Sequence, residues 1–129
     1  MAKEASIRAA GARHDGLGEA VIAADELLVR TLHPVLSHFH IGIDVFRALR
    51  VLATSSGLTV GELGREIGAN PPATTRSVDR LVSAGHAYRR ADEADRRRVL
   101  VMITDRGLDL FRDVLAEIED RVRDSKALA

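Results

Sequence analysis

Within four residues, Gly68-Ala69-Asn70-Pro71, the chain ends one helix and starts another. Glycine tolerates the left-handed backbone found just past a helix end. Asparagine caps the amides of the next first turn, and proline at the first helical position lacks only a donor that has no intrahelical partner. The flanking segments match. Thr59 and Glu62 have the spacing of a capping box and start a short helix that ends near Ile67. Gly61 and Gly64 weaken that helix intrinsically, so packing must hold it. Beyond Pro71 a second helix runs to about Ala84, stops at Gly85 and buries Val78, Leu81 and Val82. Two helices joined this tightly form a helix-turn-helix.

The rest of the chain is arranged around that pair. Residues 86–90 and 98–103 read as two strands, and the charged segment 91–97 between them is an exposed hairpin tip. Thr104 caps a last helix whose apolar stripe is Leu108, Phe111, Leu115, Ile118 and Val122. Upstream, a helix over 43–55 carries Val45, Phe46, Leu49 and Leu52 on one face and is closed by Ser55-Ser56-Gly57. Leu58-Thr59-Val60 is too short for an independent strand but suits the edge of a small sheet. A first helix starts near Gly18 with Val21, Leu28, Leu32, Val35 and Phe39 at helical steps. Pro34 lacks a backbone donor, so a kink or break is expected near His33. Residues 1–16 have no apolar stripe and read as a frayed lead-in.

With 129 residues, 46% of them hydrophobic and 29% charged, the chain suits one domain with one core. Cysteine is absent, which excludes disulfides, thiolate metal sites and thiol switches. No apolar run approaches the ~20 residues of a membrane span, and the start lacks the pattern of a secretory signal; a cytoplasmic protein is expected, with no membrane partner. The formal net charge is zero, which by itself argues against a nucleic-acid partner. The distribution argues the other way: between positions 76 and 98 seven arginines face four acids, whereas residues 105–129 are net acidic. There is no glycine-rich phosphate loop, nucleophile elbow or HExxH motif, so neither catalysis nor a cofactor is expected. Histidines 33, 38 and 40 cluster without an acidic neighbour in sequence, and polar loop residues are a better reading than a metal site.

A helix-turn-helix, a basic hairpin and a further helix, in that order, make a winged helix. The stretch LTVGELGREIGANPPATTRSVDRLVSAGHAYRRADEADRRRVLVMITDRG, residues 58–107, resembles the heart of a MarR-family regulator. The run from Thr75 to Leu81, Gly85, Asp95-Arg96-Arg97 and Thr104-Asp105-Arg106-Gly107 carry the resemblance. It implies a mainly α fold with a small antiparallel wing over 86–103, a DNA-binding head over 41–104, and dimerisation helices over 17–40 and 105–129 within one domain, 17–129. It implies a homodimer whose recognition helices enter successive major grooves of a near-palindromic operator on double-stranded DNA. It also implies, in many members, repression that a small aromatic or phenolic effector relieves. Carried onto this chain, the recognition-helix positions are Asn70, Pro72, Thr74, Thr75, Arg76, Ser77 and Arg80, with Thr74, Thr75 and Arg76 toward base edges and Ser77 and Arg80 on an exposed flank toward phosphates. Arg80 has Asp79 or Glu66 as alternative surface partners. The wing positions are Arg89, Arg90, Asp95, Arg96 and Arg97; in the family's D-x-R element the acid steadies the hairpin and an arginine, here Arg97, enters the minor groove. An effector cavity is placed by analogy among Leu32, Phe39, Phe46 and Phe111.

This chain departs from the family pattern in three places. Gly42 stands where a threonine cap is usual, Pro72 and Ala73 replace hydroxylated residues, and the sequence stops 25 residues after Thr104, where relatives continue into another helix. Those departures and the zero net charge leave an alternative: a winged helix that pairs with another protein and reads no DNA sequence.

Overall fold

A computed structural model describes residues 16–128. Apart from Gly16, the lead-in expected over 1–16 lies outside these residues. The described residues fall into two compact units that divide between Pro34 and Val35.

In the first unit, α1 (Leu17–Leu27) starts after Gly16, whose φ is 84°. The ladder then widens into a π-helical stretch, Leu28–Leu32, in which the His33 amide donates to the Leu28 carbonyl five residues back. Helix α2 (His33–His38), most of it in the second unit, follows in the chain. Near His33, where a kink or break is expected, the helix does not end but passes through this widened turn. Pro34 has no N–H, and its ring crowds the carbonyl four residues earlier, that of Arg30. The wider turn just before it takes up both defects without ending the helix. Leu17, Val21, Ile22, Leu27 and Val29 are 52–68% exposed.

The second unit is built around α3 (Ile43–Ala53), which packs against α4 (Val60–Ile67), α5 (Pro71–Ser83), the second strand and α6 (Asp105–Leu128). Its Val45, Ala48, Leu49 and Leu52 meet Leu63 of α4, Val78 and Leu81 of α5, and Ala87 and Val101 of the strands in one apolar cluster. Each fully buried leucine there contributes about 1.5–3 kcal/mol relative to exposure. Helix α3 ends at Ala53, two residues earlier than the sequence suggests, because the Thr54 and Ser55 hydroxyls donate to the Val51 and Leu52 carbonyls and occupy the last turn.

Strands β1 (Ala87–Ala91) and β2 (Val99–Ile103) pair antiparallel with Ala87 opposite Ile103 and Ala91 opposite Val99. The edge pairing expected of 58–60 is made by Leu58, which exchanges backbone hydrogen bonds with Val101 at 2.7 and 3.2 Å. On α6 the fully buried apolar side chain is Val114, while Leu115, assigned to the apolar stripe, is 36% exposed. Between Phe111 and Ile118 either an i+3 or an i+4 residue can occupy the seam, and here the i+3 residue does so.

Candidate nucleic-acid interface

Helix α5 is placed by its first turn. The Asn70 side chain accepts from the Ala73 amide at 2.9 Å, and Pro71 and Pro72 open the helix. The Thr74 hydroxyl donates back to the Asn70 carbonyl at 2.9 Å. Thr74 is fully buried because Gly64 of the preceding helix packs on it: a Cβ at Gly64 would lie 2.9 Å from the Thr74 hydroxyl and 3.0 Å from the Ala69 carbonyl. Helix α4 carries the predicted capping box, with Thr59 and Glu62 each accepting from the other's amide at 3.1 and 3.0 Å, and ends on Gly68 at φ 70°. Glycine thus sets both the turn and the close approach of the two helices.

This packing corrects two of the recognition-helix assignments. Thr74, expected toward base edges, faces the α4 backbone. Ser77, expected on an exposed flank, is 2% exposed and donates to Asp44 Oδ2 at 3.0 Å and to the Ala73 carbonyl at 3.2 Å. Thr74 and Ser77 share the buried stripe of Val78 and Leu81 at helical spacing. The outward face consists of Pro71, Pro72, Thr75, Arg76, Asp79, Arg80 and Ser83.

Carboxylates sort the arginines on this surface. Arg80 is paired with Asp44, 3.3 Å away on α3, and with neither Asp79 nor Glu66. Arg89 donates to Asp79. Arg98 donates to Glu62 at 2.8 Å and lies 3.9 Å from Asp92. By contrast Arg76, Arg90 and Arg96 are exposed and make no salt bridge among the described residues. The Arg97 side chain is 95% exposed, with only Asp95 nearby at 3.5 Å.

In the wing tip, Asp92 accepts from the Ala94 amide at 3.0 Å and Asp95 from the Arg97 amide at 3.2 Å. Backbone bonds from Asp92 N to Arg98 O and from Arg98 N to Asp95 O, both 2.9 Å, close the loop. Acids that would repel phosphate are in this way engaged with backbone amides. The Glu62 carboxyl is held below the usual carboxylate range by the Thr59 amide, then by the Thr59 hydroxyl, with the Arg98 guanidinium adding to both.

Of the four residues expected around an effector cavity, Phe46 and Phe111 pack against each other with ring centroids 6.2 Å apart. Of the four residues, Phe39 alone lines the open cleft of about 470 Å³, together with Ile41, Val45, Arg80, Leu81 and His86. Burial, then the charge of Arg106, holds the His86 imidazole below its usual value of 6.5. A histidine kept neutral in the folded state stabilises it fully above the unfolded value, and that contribution is lost as pH falls through the lower folded value. Thermal melts from about pH 7.5 down to about pH 5 are therefore expected to fall less steeply for His86→Gln than for the natural sequence. Equal slopes would show that this group does not link protonation to folding.

Among the histidines of 33–40, His38 meets Glu117 of α6 at 3.0 Å, a partner 79 residues away that the sequence could not suggest. No three His, Asp or Glu side chains gather as a metal site among the described residues. No helix among them is long and apolar enough to cross a membrane. Asp44, Glu62 and Arg98 are the ion-pair partners that sequence reasoning missed, Glu62 being marked only by its capping box, while Asp79, a candidate partner of Arg80, pairs with Arg89 instead.

The MarR family model matches residues 42–98, which span α3, the helix-turn-helix and the wing tip. The chain is similar to the HTH-type transcriptional regulator FarR of Neisseria gonorrhoeae, 28% identical over 109 residues, 84% of this chain and 75% of that protein. It superposes on wild-type MarR of Escherichia coli with a TM-score of 0.75 at 25% identity, covering 88% of this chain and 84% of that one. Over residues 42–98 the chain is a MarR-family protein. MarR-family architecture accounts for the winged helix directly: α4 and α5 are the helix-turn-helix and β1–β2 the wing. The family is one of DNA-binding transcription regulators. The chain covers about half the length of two further curated relatives. The crystal structure of NadR in complex with 4-hydroxyphenylacetate shares the fold, with a TM-score of 0.72 at 24% identity over 87% of this chain and 79% of that one.

Proposed function

We propose that this MarR-family chain is a homodimeric, sequence-specific repressor that reads a near-palindromic operator on double-stranded DNA and releases it on binding a small aromatic or phenolic compound. The observation that carries the DNA reading is the sorting of the arginines. Arg76 on the outer face of α5 and Arg90 and Arg96 on the wing make no salt bridge among the described residues, and Arg97 keeps its side chain 95% exposed with Asp95 of its own turn at 3.5 Å, whereas carboxylates from other elements occupy Arg80, Arg89 and Arg98. Arg76 and Thr75, one turn into the recognition helix behind Asn70 and Pro72, are placed to meet base edges in a major groove. Arg97, with Arg96 beside it and Asp95 steadying the turn, is placed to enter the flanking minor groove. Arg80 and Arg89, held by Asp44 and Asp79, reach phosphates on the rim only by giving up those carboxylates, and Arg90 adds to the positive strand.

The exposed apolar residues of α1 support self-association, together with the half-buried Phe111, Ile118 and Val122 of α6. Residues 17–40 and 105–129 are thus assigned to the dimer. An aromatic effector is supported by the cleft beside Phe39 and by the 4-hydroxyphenylacetate bound to NadR. Its binding weakens DNA affinity only if it favours a dimer whose recognition helices are wrongly spaced.

The deciding experiment is selection from a pool of random duplex DNA, with sequencing of the retained fraction. A near-palindrome with half-sites about one helical turn apart is expected. No enriched sequence, together with weak association that is insensitive to salt, would instead favour the protein-pairing alternative, since apolar contacts release no counterions.

A further inference from the structure

The wing carries three consecutive arginines, and the structure separates the third from the other two. Arg96 and Arg97 point away from the body, whereas Arg98 turns back to the helix-turn-helix and donates to Glu62 Oε1 at 2.8 Å. Its Nε lies 3.9 Å from Asp92 on the tip itself. The hydrogen bonds that close the tip are all local, within 92–98, and none of them ties it to α4 or α5. At that base, Leu58 and Val101 tie β2 to the residue before the α4 cap. Among the described residues, Arg98–Glu62 is the only salt bridge joining the tip to α4. The acceptor is already in place, because the capping box holds the Glu62 carboxylate through the Thr59 amide whether or not Arg98 is present.

We infer that Arg98 is a positioning residue for the wing, not a DNA contact: clipped between Glu62 and Asp92, it sets where Arg96 and Arg97 are presented relative to the recognition helix. The inference rests on the DNA reading proposed above. Both side chains are partly exposed, Arg98 at 47% and Glu62 at 36%, so the pair adds little to folding stability. Its effect belongs in DNA affinity, through the cost of ordering a loose wing on binding.

Glu62 gives the test a sign. If Arg98 touched phosphate, removing the neighbouring negative charge would free it and tighten binding. If Arg98 is a clip, the same substitution loosens the wing and weakens binding. Anisotropy titrations of the full chain with its selected duplex are compared for the natural sequence, Glu62→Gln, Arg98→Ala, the pair together and Arg97→Ala. Gln at position 62 retains an oxygen for the Thr59 amide, so the helix cap survives. Each of Glu62→Gln and Arg98→Ala is expected to weaken binding roughly three- to tenfold, and the double variant no more than either, as for one shared interaction. Melting temperatures should stay within about 2 °C. The salt dependence should keep its slope for Arg98→Ala and flatten by about one for Arg97→Ala. Amide exchange across 92–98, measured without DNA, should quicken in both clip variants.

Tighter binding by Glu62→Gln, or a flattened salt slope for Arg98→Ala, would make Arg98 a phosphate contact and overturn the inference. Unchanged exchange across 92–98 would overturn it as well. A natural chain that selects no duplex would overturn the DNA reading itself, and the clip's part in affinity with it. The exchange experiment would still decide whether the clip holds the wing.

Discussion

Gly107→Ala is expected to destabilise the fold by about 3 kcal/mol, although glycine to alanine inside a helix ordinarily stabilises by up to about 1 kcal/mol. Gly107 lies in the first turn of α6 and is buried. A Cβ there would run into the His86 carbonyl oxygen, closer than real Cβ contacts come, and would lie 2.8 Å from Ile103 Cγ1 and 3.0 Å from the His86 carbonyl carbon. Two of those atoms are backbone and cannot rotate away. The same junction is held by Thr104, whose hydroxyl donates to the Gly85 carbonyl at 2.7 Å and accepts from the Gly107 amide at 3.0 Å. The Thr104 amide bonds the His86 carbonyl at 3.0 Å. Opening a space for one methyl group therefore strains the contact between α6 and the start of the wing. Gly61→Ala in α4 supplies the control: its new Cβ would meet nothing closer than 3.9 Å, and stability should rise by up to about 1 kcal/mol. Urea unfolding of the two variants measures both signs. A Gly107→Ala protein as stable as Gly61→Ala would mean that α6 docks more loosely than the structure shows.

That junction also shows what a sequence can reveal. Thr104-Asp105-Arg106-Gly107 stood out because it carries the family resemblance, and its physical content is a cap followed by a helix residue with no room for a side chain. The Thr59–Glu62 box, Asn70-Pro71 and Gly68 were legible for the same reason: each is a bond or a backbone conformation set within three or four residues. Contacts between distant residues were not. Asp44 lies 33 residues from Ser77 and 36 from Arg80, and Arg98 lies 36 from Glu62, so no spacing rule points from one to the other. Thr74 and Ser77 failed differently. Their residue types suit DNA contact, but their phase with Val78 and Leu81 puts them inside, and the stripe of buried residues was the better guide. At Pro34 the sequence shows the missing donor but not the wider turn just before it that keeps the helix continuous.

On the proposed DNA reading, the Arg76→Ala, Arg97→Ala double variant should lose specific binding by about 100-fold or more, as each lost arginine contact costs about 1–3 kcal/mol. The two residues sit on different elements, the recognition helix and the wing tip, and share no partner, so their losses should nearly add. Each should also leave its own signature. Arg76→Ala should relax discrimination at one base pair in each half-site, because the change falls on base readout. Arg97→Ala should weaken binding most where the flanking minor groove is narrow, where the negative potential that attracts a guanidinium is strongest. Arg80→Ala provides the comparison on the same helix. Its guanidinium is already engaged by Asp44, and taking it to phosphate means giving up that bond, so its loss should stay below about tenfold. The size of the charge change is the same in all three substitutions, so net charge alone would give them equal effects. Equal losses for Arg76, Arg80 and Arg97 would accordingly reduce the surface to a diffuse electrostatic one. A ranking with Arg76 and Arg97 well above Arg80 would mean that carboxylates on the protein decide which arginines are left for DNA.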